Sequence, residues 1–330
     1  MKILVTGGAG MIGSNLVKRL VTEGHNVSVV DNLWRGKVQN LYHHAFPVID
    51  LKKQFFHLDL RDYHNCLHCT RDMDLVIHLA DIVAGINFVF DNQRFLYRAN
   101  ILINSNVLEA VLINKVKKYI YIGTACSYPA EKQNQIGAKP LKEEDVYPAN
   151  PESAYGWSKL MGEYEAELAS KESDVSVGIL RLHNVYGSPC EITPERSQVI
   201  PALCRKAFNY PNEKFVVWGS GTQRRAFLHV TDAVDSIVKT IDKGIGRGPI
   251  QIGPGESHSI KEIAELISRV SKKHLTAEYD TKQPEGDKDR VADYSKAKKL
   301  LNWKPTISLD TGIKTTYEWI ANELEQREIG

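Results

Sequence analysis

The sequence predicts an α/β fold: a doubly wound parallel sheet with a smaller C-terminal lobe. Three observations carry this. Strand-like and helix-like segments alternate through the first half of the chain, a glycine-rich turn joins the first strand to the first helix, and the texture becomes loop-rich after "SVGILRLHNVYG". Taken in order, "KILVTG", "NVSVVD", "QFFHLDL", "LVIHLA" and "KYIYIG" read as strands. The first helix, Met11 to Gly24, places Ile12, Leu16, Val17 and Leu20 on one face and stops at a glycine, as helix C-termini commonly do. "YHNCLHCTRDMD" reads as a short helix before "LVIHLA", and a further helix begins at about Asn100. Beyond the change in texture come Pro189, Pro194, Pro201 and Pro211, a strand "KFVVWG", a helix from about Thr231 and a mostly helical tail. The expected division is residues 1–183 plus about 225–247 for the sheet domain and 184–224 plus 248–330 for the second lobe. The short linkers imply a shared interface.

Composition excludes several classes. The chain has 330 residues, 42% hydrophobic and 25% charged, enough for one large core or two smaller ones and without the signature of disorder. Forty-two Lys and Arg against forty Asp and Glu leave a net charge of +2, scattered singly or in pairs, so no nucleic-acid partner is expected. Apolar runs are strand-sized, and Met1 leads almost directly into "ILVTGG", so neither a membrane span nor a signal peptide is expected. Five cysteines are an odd count in a long chain and point to a reducing compartment, the cytosol. Cys66 and Cys69 form a CxxC beside His64 and His68, but no second ligand pair stands at matching spacing, so no metal is expected.

"VTGGAGMIGSNL" sets Gly7, Gly10 and Gly13 between a strand and a helix start, where bare backbone can approach a pyrophosphate and the helix N-terminus favours the anion. Met11 and Ile12 share that turn. Asp31 closes the next strand, where a carboxylate accepts hydrogen bonds from the adenosine ribose and repels a 2′-phosphate, so the expected cofactor is NAD. Arg35 nearby works against that preference without cancelling it. Asp59 and Leu60, ending a later strand, are candidate adenine contacts. In "SAYGWSKL", Tyr155 and Lys159 stand four apart and hence on one helical face. A lysine beside a phenol favours the phenolate, so the Tyr155 phenol is expected to be lowered towards neutrality and to act as a base on a substrate hydroxyl.

Over nearly its whole length the chain resembles the extended short-chain dehydrogenase/reductase family of nucleotide-sugar epimerases and dehydratases. The matching pieces are "TGGAGMIG", "DNL", "HLA", Asn100, Thr124, "YGWSK", "RLHNVYG", "WGSGTQRRAFLHVTD" and "LNWKP". The resemblance implies a Rossmann fold with Asn32, Leu79, Ala80 and Asn100 at the cofactor, and Tyr155, Lys159 and Thr124 around the hydride-transfer centre. It places Asn184, Val199, Trp218, Arg225 and Arg290 in the nucleotide-sugar pocket, the two arginines clamping the diphosphate.

Within the family, "ACSYP", "RLHNVYG", "CRKA" and "PEG" resemble first the GDP-mannose 3,5-epimerases and then the GDP-fucose synthases, which favours a GDP-hexose as substrate. Those enzymes carry a cysteine at the place of Cys126, where it exchanges protons beside a transient 4-keto group. Two departures stand out: Thr193 and Gln198 occupy the places of the partner lysine and histidine. Cys190, Glu191 and His183 lie near enough to be substitutes. The alternatives are a 4-epimerase that turns the keto sugar over, needing only Thr124, Tyr155 and NAD, and a non-catalytic NAD-binding protein. The resemblance also implies a homodimer joined through helices near residues 100–114 and 153–170, with Leu160, Tyr164 and Leu168 as an apolar stripe.

Overall fold

The computed structural model describes residues 1–329, with side chains through Gln326. Seven strands form one sheet: β1 (Lys2–Thr6), β2 (Asn26–Val30), β3 (Phe55–Phe56), β4 (Leu75–His78), β5 (Lys118–Thr124), β6 (Ser176–Leu182) and β7 (Pro249–Ile252). Their order is β7-β6-β5-β4-β1-β2-β3, and every neighbouring pair is parallel. Alternate residues of β1 serve opposite faces: Ile3 and Val5 join one apolar cluster and Leu4 the other. Helix α1 (Met11–Thr22) covers the first face, with Leu16, Val17 and Leu20 inward as their spacing predicts. α2 (Tyr63–Thr70), α3 (Gln93–Ile113) and α4 (Ala154–Glu172) cover the second.

The expected fold class is observed, with local differences. The strand expected over "QFFHLDL" pairs only at Phe55–Phe56, and the helix expected from Asn100 begins at Gln93. "SVGILRLHNVYG" breaks after Leu182, and Asn184–Tyr186 leaves the sheet to pair in parallel with Phe227–His229. The segment 249–252, expected in the second lobe, extends the main sheet beside β6. It is an apolar, buried edge strand, and the sequence offers no glycine-rich signature to tie it to the sheet.

A third apolar cluster forms the smaller lobe from α5 (Val199–Asn209), α7 (Ile260–Ser271) and α8 (Leu309–Ile329), with α6 (Val230–Lys243) lying against the main sheet. "LNWKP" acts as a tie: the Trp303 indole donates to the Asp232 carbonyl at 3.0 Å, and the Asp232 carboxylate receives the amides of Thr306 and Ile307, each at 3.0 Å. Among the described residues no helix is long and apolar enough to cross a membrane.

Candidate active site

Strand order reverses at β1, whose neighbours are β2 and β4, and the crevice outside the carboxyl ends of the strands opens there. A cavity of about 1360 Å³ runs from this crevice into the smaller lobe. The glycine turn forms one wall. Gly7 holds φ at +66°, and a Cβ there would sit 3.0 Å from the Ala80 backbone; a Cβ on Gly13 would lie 2.3 Å from the Gly7 carbonyl. No side chain caps the N-terminus of α1, whose first residues Met11 and Ile12 line the cavity, while the Gly10 amide donates to the Gly7 carbonyl at 3.1 Å. Asp31 accepts the amides of Ala9 at 3.0 Å and Leu33 at 2.8 Å; burial raises its carboxyl, and those two bonds pull the other way. These residues fit a dinucleotide: an anion seat at a helix end and an inward carboxylate at the ribose position.

Met11, Ile12, Asn32, Asp59, Leu60, Leu79 and Ala80 line the same cavity. Asn100 does not. Its amide pairs both ways with Ile82, accepting at 2.7 Å and donating at 3.1 Å, so it shapes the loop after β4 from behind. Arg35 turns away from Asp31, donating to the Val83 carbonyl at 3.1 Å with Asp81 and Glu191 as the acidic groups around it.

A buried polar chain sets the chemical centre. Thr6 and His78 share a hydrogen bond of 2.8 Å, His78 meets Asn104 at 3.1 Å, and Asn104 donates to the Ser158 carbonyl at 3.2 Å. This links β1, β4 and α3 to the helix that carries Tyr155. The Thr6 hydroxyl also accepts the amides of Leu79 and Ala80, both at 3.0 Å, which fixes the residue that follows, Asp81.

Asp81 went unnoticed in the sequence. Its Oδ2 accepts the Tyr155 hydroxyl at 2.9 Å and lies 3.6 Å from the buried Lys159 ammonium. The expectation for Tyr155 is therefore corrected. Burial first, then the Asp81 carboxylate, push the phenol well above its usual range, and Lys159 spends its charge on Asp81. Burial lowers the Lys159 ammonium, and Asp81 partly restores it. The signal was available: a carboxylate directly after "HLA" sits at the carboxyl end of a central parallel strand.

Thr124 ends β5 and its hydroxyl accepts the Cys126 amide at 3.2 Å. The Cys126 sulfur points into the cavity, where Arg290 Nη1 donates to it at 3.3 Å. Arg290 also bonds Gln133 and Asp287; burial opposes its charge, but Asp287 and Cys126 hold it above the usual range. Arg225 gives Nη1 to the Asp287 carbonyl at 2.6 Å and Nη2 to the Glu285 carbonyl at 3.2 Å, and burial beside Arg290 lowers it to about 10. Glu152, also unforeseen, lines the cavity here, its carboxyl raised by burial and by Asp287. Asn184, Val199 and Trp218 also line the cavity, and the buried Asn184 Oδ1 has no protein partner.

The substitute donors fare differently. His183 is buried, its Nε2 held 3.1 Å from Gln251 Oε1, and burial lowers it to about 4. The Glu191 carboxylate accepts the amides of Ile192 and Thr193, both at 2.9 Å, and burial pushes the Cys190 thiol up to about 12. Gln198 reaches the cavity wall; Thr193 does not. Cys66 and Cys69 are buried, with thiols donating to the Leu60 and Cys66 carbonyls, and no metal-binding cluster occurs among the described residues.

A parallel sheet with a glycine turn at its switch point and a Tyr–Lys helix beside it fits a dinucleotide-dependent enzyme. Residues 3–253 match the model of the NAD dependent epimerase/dehydratase family, and the chain belongs to that family. It is an enzyme of that family, and NAD is its cofactor. It is 33% identical over 331 residues to GDP-mannose 3,5-epimerase 1 of Oryza sativa subsp. indica, covering 99% of this chain and 84% of the relative. The GDP-mannose 3,5-epimerase of Arabidopsis thaliana is also 33% identical, over 328 residues, with the same coverage. Among solved structures, the UDP-glucose 4-epimerase of Thermotoga maritima with UDP-glucose superposes with a TM-score of 0.86 at 28% identity, covering 98% of this chain and all of that one. The UDP-glucuronic acid 4-epimerase of Bacillus cereus, in complex with UDP-glucuronic acid and NAD, gives 0.84 at 28% identity, again covering 98% of this chain and 100% of the other.

Proposed function

We infer that this enzyme epimerises a nucleoside-diphosphate hexose through a transient 4-keto sugar, with Cys126 exchanging a proton at C3 or C5. The observation that supports it is where the sulfur lies. Cys66, Cys69 and Cys204 pack into apolar clusters, whereas Cys126 meets Arg290 inside the cavity that Tyr155 also lines. NAD, when bound, supplies the hydride acceptor. Tyr155 takes the proton of the C4 hydroxyl, the resulting ketone acidifies the neighbouring C–H bonds, and a thiolate is a suitable base for them. Arg225 and Arg290 border the space for the diphosphate. The 33% identical relatives favour a GDP-hexose.

One observation favours a second reading, a 4-epimerase. At the two donor places stand Thr193, off the cavity wall, and Gln198, which has no acidic proton to give. Turnover of GDP-mannose and of UDP-glucose in deuterium oxide separates the two. The expected outcome is label at C3 or C5, with loss of about 10²-fold or more in rate for Cys126→Ala. Unlabelled C4 epimer formed at the parental rate by Cys126→Ala would establish the 4-epimerase instead.

The active form is proposed to be a homodimer joined through α3 and α4. Leu160, expected on its surface stripe, is buried inside the chain; Phe95, Tyr97, Ile113 and Tyr164 are the large apolar side chains that these helices expose.

A further inference from the structure

We propose that Asp81 is a second proton carrier in the reaction, receiving the Tyr155 phenolic proton while Tyr155 receives the sugar hydroxyl proton. This rests on the epimerase reading, and it explains how a phenol that keeps its own proton can act as a base. The Tyr155 hydroxyl already donates to Asp81 Oδ2 at 2.9 Å, so the path is a single hydrogen bond. Asp81 is 16% exposed and borders the cavity, while Lys159 is 2% exposed and has no other acidic partner among the described residues.

The relay balances. The sugar O–H bond breaks as a Tyr155 O–H bond forms; the former Tyr155 O–H bond breaks as an Asp81 O–H bond forms. The C–H electron pair leaves as hydride to the NAD that the family uses, and the return step runs the same atoms backwards. One proton moves inward and none is lost to water. The groups facing Tyr155 and Asp81 are Lys159 from α4, Tyr121 from β5, Cys126 from the turn after β5, and Arg35 from the loop after β2. Of these, Asp81 alone is hydrogen-bonded to the phenol. Burial dominates the upward push on the phenol, with Asp81 next, so a base made by simple ionisation is disfavoured where a relay is not.

The alternative is that Asp81 merely neutralises Lys159, and two readouts on the NAD-loaded enzyme distinguish it. NMR of ring-labelled tyrosine, with Tyr155→Phe identifying the signal, follows ionisation of the phenol without any substrate. Asp81→Asn is expected to move the Tyr155 titration to lower pH, because the carboxylate opposing ionisation is gone. With GDP-mannose or UDP-glucose, parental turnover is expected to persist at pH values where the phenol remains protonated. Turnover of Asp81→Asn should fall about 10²-fold at neutral pH and track the fraction of ionised Tyr155. Asp81→Glu, which keeps a carboxylate, should recover part of the rate and the parental pH profile. An unchanged Tyr155 titration in Asp81→Asn overturns the relay, even if neither sugar nucleotide is turned over and the epimerase reading fails. So does a parental pH profile in Asp81→Asn, or parental turnover that itself tracks the ionised phenol.

Discussion

His78 and His183 show what a buried polar residue contributes to stability and what it makes vulnerable. Both rings are deeply buried, and burial lowers them to about 3 and about 4. The neutral ring is the native form, so the unfolded chain binds a proton first as pH falls below about 6.5. Each ring's contribution is thus complete above that value and is lost on acidification towards about 4 for His183 and about 3 for His78. The slope is about 1.4 kcal/mol per pH unit for each ring. Raised carboxyls such as Asp31 and Glu152 act in the opposite sense, since protonation relieves their burial. A comparison between variants isolates the histidines: in urea unfolding at pH 6.5 and pH 5, His183→Gln should lose less stability on acidification than the parent by about 2 kcal/mol. Equal losses would show that the His183 ring takes up its proton as readily in the native protein as in the unfolded chain.

At the scale of elements, the entry of α4 decides whether the site is assembled. Its N-terminus passes so close to the turn after β5 that a Cβ on Gly156 would lie 2.2 Å from the Cys126 carbonyl oxygen. Ser127 donates to the Gly156 carbonyl at 3.4 Å across the same seam. Gly156→Ala must push the helix outward, at a cost of about 1–3 kcal/mol as overpacking usually brings. Because the displaced turn carries Tyr155, turnover should fall further than the loss of folded protein explains, and a parental Tm together with a parental kcat would refute this account. The seam also marks where sequence reading stops. Tyr155 and Lys159 are legible because four residues along a helix define one face, and the glycine turn because strand, turn and helix are contiguous. Asp81 meets Tyr155 across 74 residues of chain, and its partner can be named only once β4 and α4 are set side by side. Asn100 differs in the other direction: its type and place match the family pattern, and its amide pairs with the Ile82 backbone behind the cavity wall. The edge strand Pro249–Ile252 was missed for the same reason as Asp81, since its partner β6 lies far earlier in the chain.

For the molecule as a whole, the same two helices present an open question of assembly with a physical answer. α3 and α4 pack on each other and on the sheet, yet Phe95, Tyr97, Ile113 and Tyr164 remain 42–57% exposed. Large apolar side chains are costly to leave in water, and a second copy of the same surface can cover them about a two-fold axis. Such an interface would need to bury about 1,600 Å², within reach of two long helices from each protomer. Light scattering at micromolar concentration is expected to give twice the 37.2 kDa mass of the chain. Replacing Phe95 and Tyr164 together by Glu should return the monomer mass, because two carboxylates would be buried against their own copies without partners. These positions are exposed in the single chain, so the double variant should keep its fold. A parent that runs as a monomer, or a double variant that remains dimeric, would place the subunit contact elsewhere or remove it, and the site would then have to work from one chain alone.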